Sequence, residues 1–373
     1  MAQGFSLKDD LFNPQTVGRL GQHFEEAGVF ASAPFVQEVL ARMGPLALKE
    51  RINLIAEVLA THLPNDFPSA CDAILQALPP PLDPSRTDDD FGHFIYAPLG
   101  VFVENHGLDE HLSLSLDMLT ALTQRFSMEF SIRTFLNRCP DQVLARMQND
   151  WIHHDHYHVR RLVSEGTRPK LPWGQSIGLT PAQTLPLLDQ LHADRTRFVT
   201  RSVANHLNDI TKSDPDAVID RLLDWHKNGA QNDKELTWMR KHALRGLIKA
   251  GHPGAMAHLG YDHDVKLSLT GFVITPDTLA RGEVADISMT ITPKTDAPLI
   301  VDYVIDFMKA NGAQAPKVFK LKTVNAKAGV PLVLTKRHVF KDTATTFRLY
   351  PGPHRLHAQV NGRRVASLPV TLT

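Results

Sequence analysis

The spacing of the apolar residues changes near residue 261, and this change limits the fold more than any other feature of the sequence. Before it, apolar residues recur three or four positions apart, the period of an α-helix. Examples are Phe35, Val39, Leu40 and Met43, followed by Ile52, Ile55, Val58 and Leu59. After Tyr261, apolar and polar residues alternate, as half-buried strands require. At 373 residues, the chain is also longer than a single hydrophobic core normally supports. We therefore predict a multidomain protein, α then β, with domains at residues 1–260 and 261–373.

The helical part repeats itself. A shift of forty residues superimposes Val159, Val199 and Met239, and likewise Arg161, Arg201 and Lys241. Repeats of ~40–47 residues with two helices each build HEAT solenoids, in which stacked units share one core and present a concave face. Residues 1–260 are therefore predicted to form a HEAT-like α-helical-repeat solenoid.

The C-terminal part has the pattern of a small sandwich. Asn361-Gly362 lies between two alternating runs, and this dipeptide favours a two-residue turn with positive φ, so residues 355–371 are predicted to form a hairpin. About 110 residues with some seven short strands fit an all-β immunoglobulin-like sandwich. The Cys…Trp…Cys pattern of antibody domains is absent, so the term refers to architecture only.

Charge is distributed unevenly although the formal net charge is zero. Residues 1–100 contain 13 acids and 6 bases, whereas residues 307–373 contain 12 bases and one acid, Asp342. The acidic end repels phosphate, and the basic end favours binding of a polyanion.

Composition and motifs exclude several functions. Only Cys71 and Cys139 are present, with no zinc spacing, and no leader or long apolar run precedes or interrupts the domains, so we expect a cytoplasmic protein without a membrane segment. The run His153–His158 lacks the spacing of a metal site and stays unassigned, so no metal is expected. Nucleotide, dinucleotide and zinc-protease motifs are absent, and no cofactor is expected.

Basic residues at repeat positions are candidates for phosphate contacts. Arg161, Arg201 and Lys241, with Arg160 and Arg245 nearby, form a ladder that fits the concave face of a solenoid. The alternative is a row of solvated or salt-bridged helix positions.

Three acids stand among apolar or small neighbours, namely Glu129, Glu165 and Asp209. The alternative for two of them is an ion pair on a helix surface, Glu129 with Arg133 and Glu165 with Arg161. Trp173 follows Pro169 and Pro172 and is therefore predicted in a loop, where its indole either stacks on a base or a cation, or covers helix ends.

Several segments together resemble the AlkC branch of the HEAT-like alkylpurine DNA glycosylases. They are Phe5–Asp9, Phe126–Arg133, His158–Pro169, Leu171–Gly174, Arg201–Asp209 and His242–Arg245. Some members of that branch carry an immunoglobulin-like C-terminal domain, in agreement with the alternation after residue 261.

The resemblance implies a function and a site. It implies removal of N3-alkylated bases from duplex DNA, 3-methyladenine or 3-methylcytosine, without the deep base-flipping pocket of other glycosylases. It carries over Glu129, Glu165 and Asp209 as catalytic residues with Trp173 beside the lesion, and the sequence does not depart from the family at these four positions. Carboxylates suit the reaction because positive charge develops on the sugar as a cationic base leaves.

The partner expected from this resemblance is alkylated double-stranded DNA, with no obligate protein partner and a monomeric chain. The basic sandwich is expected to act as a clamp on the other side of the duplex. The expected DNA-binding residues are Arg160, Arg161, Arg168, Arg201, Lys241, Arg245, Lys336 and Arg337. Two alternatives remain: a DNA-binding or protein-binding HEAT scaffold without activity, and a solenoid with an exposed apolar patch for a protein partner.

Overall fold

The computed structural model describes residues 6–88, 90–341 and 348–373. Asp342 and the first five residues, including Phe5 of the first family segment, lie outside these ranges. The chain divides into two compact units, Met1–Ile210 with Trp225–His242, and Thr211–Asp224 with Ala243–Thr373.

The first part of the chain is helical. Its α-helices are α1 Leu7–Leu11, α2 Pro14–Glu26, α3 Ser32–Met43, α4 Leu48–His62, α5 Phe67–Ala77, α6 Ala97–Gly107, α7 Leu112–Thr123, α8 Ser131–Arg138, α9 Pro140–Asn149, α10 Tyr157–Gly166, α11 Pro181–Leu191, α12 Arg197–Ile210, α13 Pro215–Asn228, α14 Asp233–Ala243, α15 Arg245–Ala250 and α16 Pro253–His258. Short 3-10 helices span Phe94–Tyr96 and Trp151–His153. This confirms the all-α prediction.

Helices that are close in the sequence pack against one another, as stacked HEAT-like repeats require. Helices α4, α6 and α8 pack in a row, and α10 packs on α12. Capping residues and prolines mark where helices begin. Asn13 caps α2 and Pro14 occupies its first turn, while Asp66 caps α5 ahead of Phe67-Pro68. The repeat therefore follows from apolar stripes separated by capping residues.

The second part of the chain consists of strands β1 Leu267–Thr275, β2 Thr278–Leu279, β3 Val284–Pro293, β4 Ala297–Met308, β5 Gln314–Ala326, β6 Leu332–Val339, β7 Gly352–Val360 and β8 Arg363–Leu372. They form two sheets, in the orders β1-β3-β6 and β2-β8-β7-β4-β5. The described neighbours pair antiparallel, except that β2 runs parallel to β8. The predicted all-β sandwich is confirmed.

The predicted alternation corresponds to the sandwich core. Ala285, Ile287, Met289 and Ile291 of β3 are buried, and so are the inward residues of β4. One polar contact joins the two sheets: the side chains of Tyr303 and His338 approach to 3.0 Å between Oη and Nδ1. The sandwich core therefore includes a satisfied polar pair as well as apolar side chains.

The hairpin predicted at residues 355–371 is confirmed and consists of β7 and β8. The last residue pair before its turn is Val360 with Arg363. Asn361 and Gly362 have φ angles of 45° and 81°, as a two-residue turn with positive φ requires. The Asn361 side chain is buried, accepts from the Ile300 amide at 2.8 Å and donates to the Asp262 carbonyl at 2.8 Å. Asn361 therefore anchors the turn to the chain that leads into β1.

Helical structure ends at His258 and strand structure begins at Leu267. The second compact unit also includes residues 211–224 and the chain from Ala243 onward, so it contains helical segments as well as the sandwich. The domain boundary at residues 260 and 261 itself stays a prediction.

Candidate active site

The predicted acids lie around α10, a helix that is buried on nearly all sides. The His156 side chain begins this helix by accepting the backbone N–H of His158. Gly166 ends it where α8 approaches closely, since a Cβ there would lie 2.6 Å from Cγ2 of Ile132. This close approach of α8 to the end of α10 places the turn before α8, which contains Glu129, beside α10.

Arg168 joins two of the acids. Its Nη1 donates to Glu165 Oε1 at 2.6 Å, and its Nη2 and Nε reach Asp209 Oδ2 at 2.9 and 3.0 Å. Glu165 and Asp209 are only 5% and 8% exposed. One guanidinium therefore holds a carboxylate of α10 and a carboxylate of α12 together in a buried position.

Arg161 joins the third acid to the same cluster. Its Nη1 donates to Glu129 Oε2 at 2.7 Å, and its Nη2 lies 3.6 Å from Glu165 Oε2. The Arg161 guanidinium also lies over the Phe198 ring, 4.5 Å from the centroid, as a cation–π contact. The structure thus brings Glu129, Glu165 and Asp209 into one cluster, which we call the acid cluster.

Helical spacing predicted an ion pair between Glu129 and Arg133, and this prediction is wrong. Glu129 lies in the turn before α8 begins at Ser131, so the i,i+4 geometry does not apply. Arg133 is 1% exposed and donates instead to the carbonyls of Gly166, Arg168 and Gln175 at 2.9, 2.8 and 2.5 Å. This arginine therefore holds the loop by backbone carbonyls on both sides of Trp173.

The charges of the acid cluster determine its protonation. Burial alone would raise the pKa of Glu165, but the charges of Arg161 and Arg168 and a hydrogen bond from Ser202 hold that pKa below its usual value. Direct contacts join the three carboxylates to the guanidinium groups of Arg161 and Arg168, and the charge of the buried Arg133 also acts on them. The acid cluster therefore concentrates carboxylates in a buried position, where their interaction with a positive charge is stronger than in water.

A buried histidine lies beside the acid cluster. His206 of α12 donates its Nδ1–H to the Ser164 carbonyl at 3.0 Å. Burial lowers the pKa of His206 to about 4, so the ring is neutral at physiological pH. The histidine therefore adds no charge to the acid cluster.

Trp173 lies in the loop between α10 and α11 with a φ of 64°. Its side chain is 57% exposed, and its carbonyl accepts a hydrogen bond from Lys49 Nζ. It borders a cavity of about 620 Å³ together with Phe94, Met128 and Phe130. The predicted loop position is confirmed, and the indole face is available to a ligand.

The predicted cationic residues occupy different environments. Arg160 is buried, where it donates to both Asp194 oxygens, at 2.5 and 3.2 Å, and to the carbonyls of His154 and Asp155. Arg201 pairs with Asp88, with Nη1 and Oδ2 3.1 Å apart. Lys241 is exposed and Arg245 is half-buried. These contacts favour a structural position for Arg160, whereas Lys241 is accessible to a phosphate.

Lys336 and Arg337 are both exposed on β6. Adjacent residues of a strand project to opposite faces, so the two cations do not form one patch. Arg337 also lies 3.6 Å from Asp286, in a solvent-exposed pair.

The histidine run takes part in local hydrogen bonds at the start of α10. The His154 ring accepts the backbone N–H of His156, just as His156 accepts that of His158. Within the described ranges, no group of three or more His, Cys, Asp or Glu side chains is arranged to hold a metal ion. Among the helices of those same ranges, none combines the length and apolarity needed to cross a membrane.

Sequence reasoning missed the hydroxyl groups that contact the acids. Ser202 donates to Glu165 Oε2 at 2.6 Å, and Ser127 donates to Glu129 Oε2 at 2.9 Å. Both serines lie within segments already identified by their resemblance. Ser127 stands between Phe126 and Met128, and a hydroxyl between apolar residues is a signal, although it does not indicate which carboxylate the serine contacts.

The fold and the acid cluster define a class: a HEAT-like repeat protein with an immunoglobulin-like C-terminal domain. A family model described as "Uncharacterised protein YhaZ, C-terminal Ig-like domain" matches residues 268–373. "Uncharacterized protein YhaZ" of Bacillus subtilis (strain 168) is 32% identical over 369 residues, which cover 96% of this chain and 97% of that protein.

A solved structure shows the same similarity. The Pseudomonas fluorescens alkylpurine DNA glycosylase AlkC, bound to DNA containing an abasic site analog, is 31% identical with a TM-score of 0.87. The match covers 99% of this chain and 100% of that one. The chain belongs to the AlkC branch of the HEAT-like alkylpurine DNA glycosylase family.

Proposed function

We propose that this protein is a DNA repair glycosylase that hydrolyses the N-glycosidic bond of alkylated bases in duplex DNA. The observation that carries the proposal is the acid cluster, in which buried arginines hold three carboxylates together. The similar AlkC structure supports it, because an abasic site is what base removal leaves in DNA.

The chemistry follows from charge. An N3-alkylated base carries a positive charge and departs as a neutral molecule, so the bond breaks without a strong general acid. Positive charge then develops on the deoxyribose, and fixed carboxylates in a partly dehydrated site stabilise it. Glu165 and Asp209 are the candidates for this task, and one of the three carboxylates orients the water that attacks the sugar.

Selectivity has two sources in this proposal. Neutral bases are poor leaving groups, so the chemical step itself favours cationic, N3-alkylated bases such as 3-methyladenine or 3-methylcytosine. The exposed indole of Trp173 attracts a cationic base more strongly than a neutral one. The damaged base is then recognised by its charge, without a deep base-flipping pocket.

DNA binding is assigned to accessible cations. We assign phosphate contacts to the exposed Lys241 and the half-buried Arg201 and Arg245 in the helical part. One of Lys336 and Arg337, which face opposite ways, adds a contact from the basic C-terminal domain. Arg160 is left out because it is buried, with its guanidinium bound to Asp194 and two backbone carbonyls. Arg161 and Arg168 act on DNA only indirectly, through the carboxylates that they hold.

Hydrolysis of this kind needs only water, so the proposal includes no cofactor and no metal. We also propose that the protein is a monomer and that it acts on DNA in the cytoplasm without an obligate protein partner.

The test is Glu165→Gln, which preserves shape and removes the charge. We expect unchanged affinity for methylated duplex DNA and a rate of base release about 10²–10³-fold lower, as for loss of one electrostatic group in a site. Glu110→Gln, an exposed carboxylate, is the matched control. Excision at the wild-type rate would remove Glu165 from the mechanism, and binding without excision by the wild type would favour a non-catalytic scaffold.

A further inference from the structure

The cavity beside Trp173 has the dimensions of a small-molecule site. Its volume of about 620 Å³ lies within the ~300–1,000 Å³ range of such sites. Its walls come from the start of α4, from α6, from residues 127–131 and from the Trp173 loop. Most of the lining is apolar or aromatic, with Phe94, Phe130 and Trp173 as the rings. Such walls favour a flat, uncharged ligand.

One carboxyl group lines this apolar space. Glu104 of α6 accepts a hydrogen bond from Thr134 Oγ1 at 2.6 Å, and Gln175 Nε2 lies 2.6 Å from the same hydroxyl. Burial raises the pKa of Glu104 even though Ser131 and Thr134 hydrogen-bond to its carboxyl group. A carboxyl group at this position accepts a hydrogen bond from an amino group of a ligand.

One residue, Ser127, contacts both the cavity and the acid cluster. Ser127 lines the cavity, and its hydroxyl donates to Glu129 Oε2. Trp173, which we place beside the damaged base, lines the cavity as well. A base that leaves its sugar at the acid cluster therefore departs next to this space.

The lining argues against an anionic ligand. Lys49 is the cation that lines the cavity, and its Nζ donates to the Trp173 carbonyl. The cavity thus lacks the convergent cations that phosphate recognition requires, whereas it offers aromatic faces and a carboxyl group.

We propose that the cavity binds the planar, uncharged amino-heterocycle that base excision sets free, an alkylated purine in particular. The ring stacks on the aromatic walls, and its exocyclic amino group donates to Glu104. The inference rests on the proposed glycosylase function, because that reaction supplies the ligand. No covalent step takes place in the cavity.

The experiment is a calorimetric titration of the full chain with free 3-methyladenine in the absence of DNA. We expect saturable 1:1 binding. Glu104→Leu removes the polar partner, and Val101→Phe fills part of the cavity. Each should weaken binding about tenfold or more, within the range that loss of a base-recognition contact produces. Glu110→Leu, the same change at an exposed site, should leave binding unchanged.

A second readout is product inhibition. Added 3-methyladenine should slow base release by the wild type and slow it less in Glu104→Leu, an effect that general loss of stability does not produce. The inference is overturned if the wild type does not bind the free base, or if both cavity variants bind it as the wild type does. Excision without free-base binding would refute the inference alone, whereas binding without excision would refute the proposed function alone.

Discussion

Removal of the guanidinium that joins Glu165 and Asp209 tests the acid cluster most severely. Arg168→Met retains much of the apolar volume but leaves two buried carboxylates without their shared partner. Breaking a buried ion pair by removing one partner costs about 3–5 kcal/mol, because the remaining charge stays desolvated. Two carboxylates are left here, so we expect a loss of unfolding free energy at the upper end of that range.

The assay is urea denaturation at neutral pH, with Arg195→Met as the matched control. Arg195 is exposed, and its replacement should change the unfolding free energy by no more than about 0.5 kcal/mol. The double variant Arg168→Met with Glu165→Gln should regain part of the loss, because one buried negative charge is gone. Equal unfolding midpoints for Arg168→Met and Arg195→Met would refute the assignment of Arg168 as the buried bridge.

Two further predictions concern pH and DNA binding. His206 has a pKa of about 4 in the folded protein against an ordinary 6.5, so its contribution to stability, about 3 kcal/mol, is present above pH 6.5 and is lost as the pH falls towards 4. His206→Leu should flatten this dependence in denaturation measured at pH 7.5 and 5; an unchanged slope would contradict the assignment. Replacing Lys336 and Arg337 together by Ala should lower the slope of log K against log salt by about 0.9, one phosphate contact, because the two side chains face opposite ways. An unchanged slope in a DNA-binding titration would exclude a role for this part of β6.

Local patterns were sufficient to predict the fold. The forty-residue shift that aligns Arg161 with Arg201 corresponds to the packing of α10 on α12, since equivalent turns of stacked repeats lie side by side. Asn361-Gly362 predicted the β7–β8 turn because only a few residue types adopt positive φ at both positions. Helical stripes and strand alternation act over a few residues and are therefore visible in one sequence.

The contacts of the site depend on distant segments and were less predictable. Spacing paired Glu129 with Arg133, but the chain forms a turn before α8, and Arg161 of α10 takes the carboxylate instead. Arg160 belongs to the same basic run, yet Asp194 from another repeat engages it. No sequence pattern identifies Glu104, because its cavity forms only when α4, α6 and the Trp173 loop come together. Such partners are set by tertiary packing, which periodicity does not encode.

The central claim is that this chain excises alkylated bases at the acid cluster. The most direct measurement is release of free 3-methyladenine from methylated duplex DNA by the purified wild type, with Asp209→Asn measured beside it. We predict release by the wild type and a rate about 10²–10³-fold lower for Asp209→Asn, with DNA binding retained by both. Absence of release by the wild type, despite salt-sensitive DNA binding, would contradict the glycosylase function, and equal release by both proteins would contradict the role of Asp209.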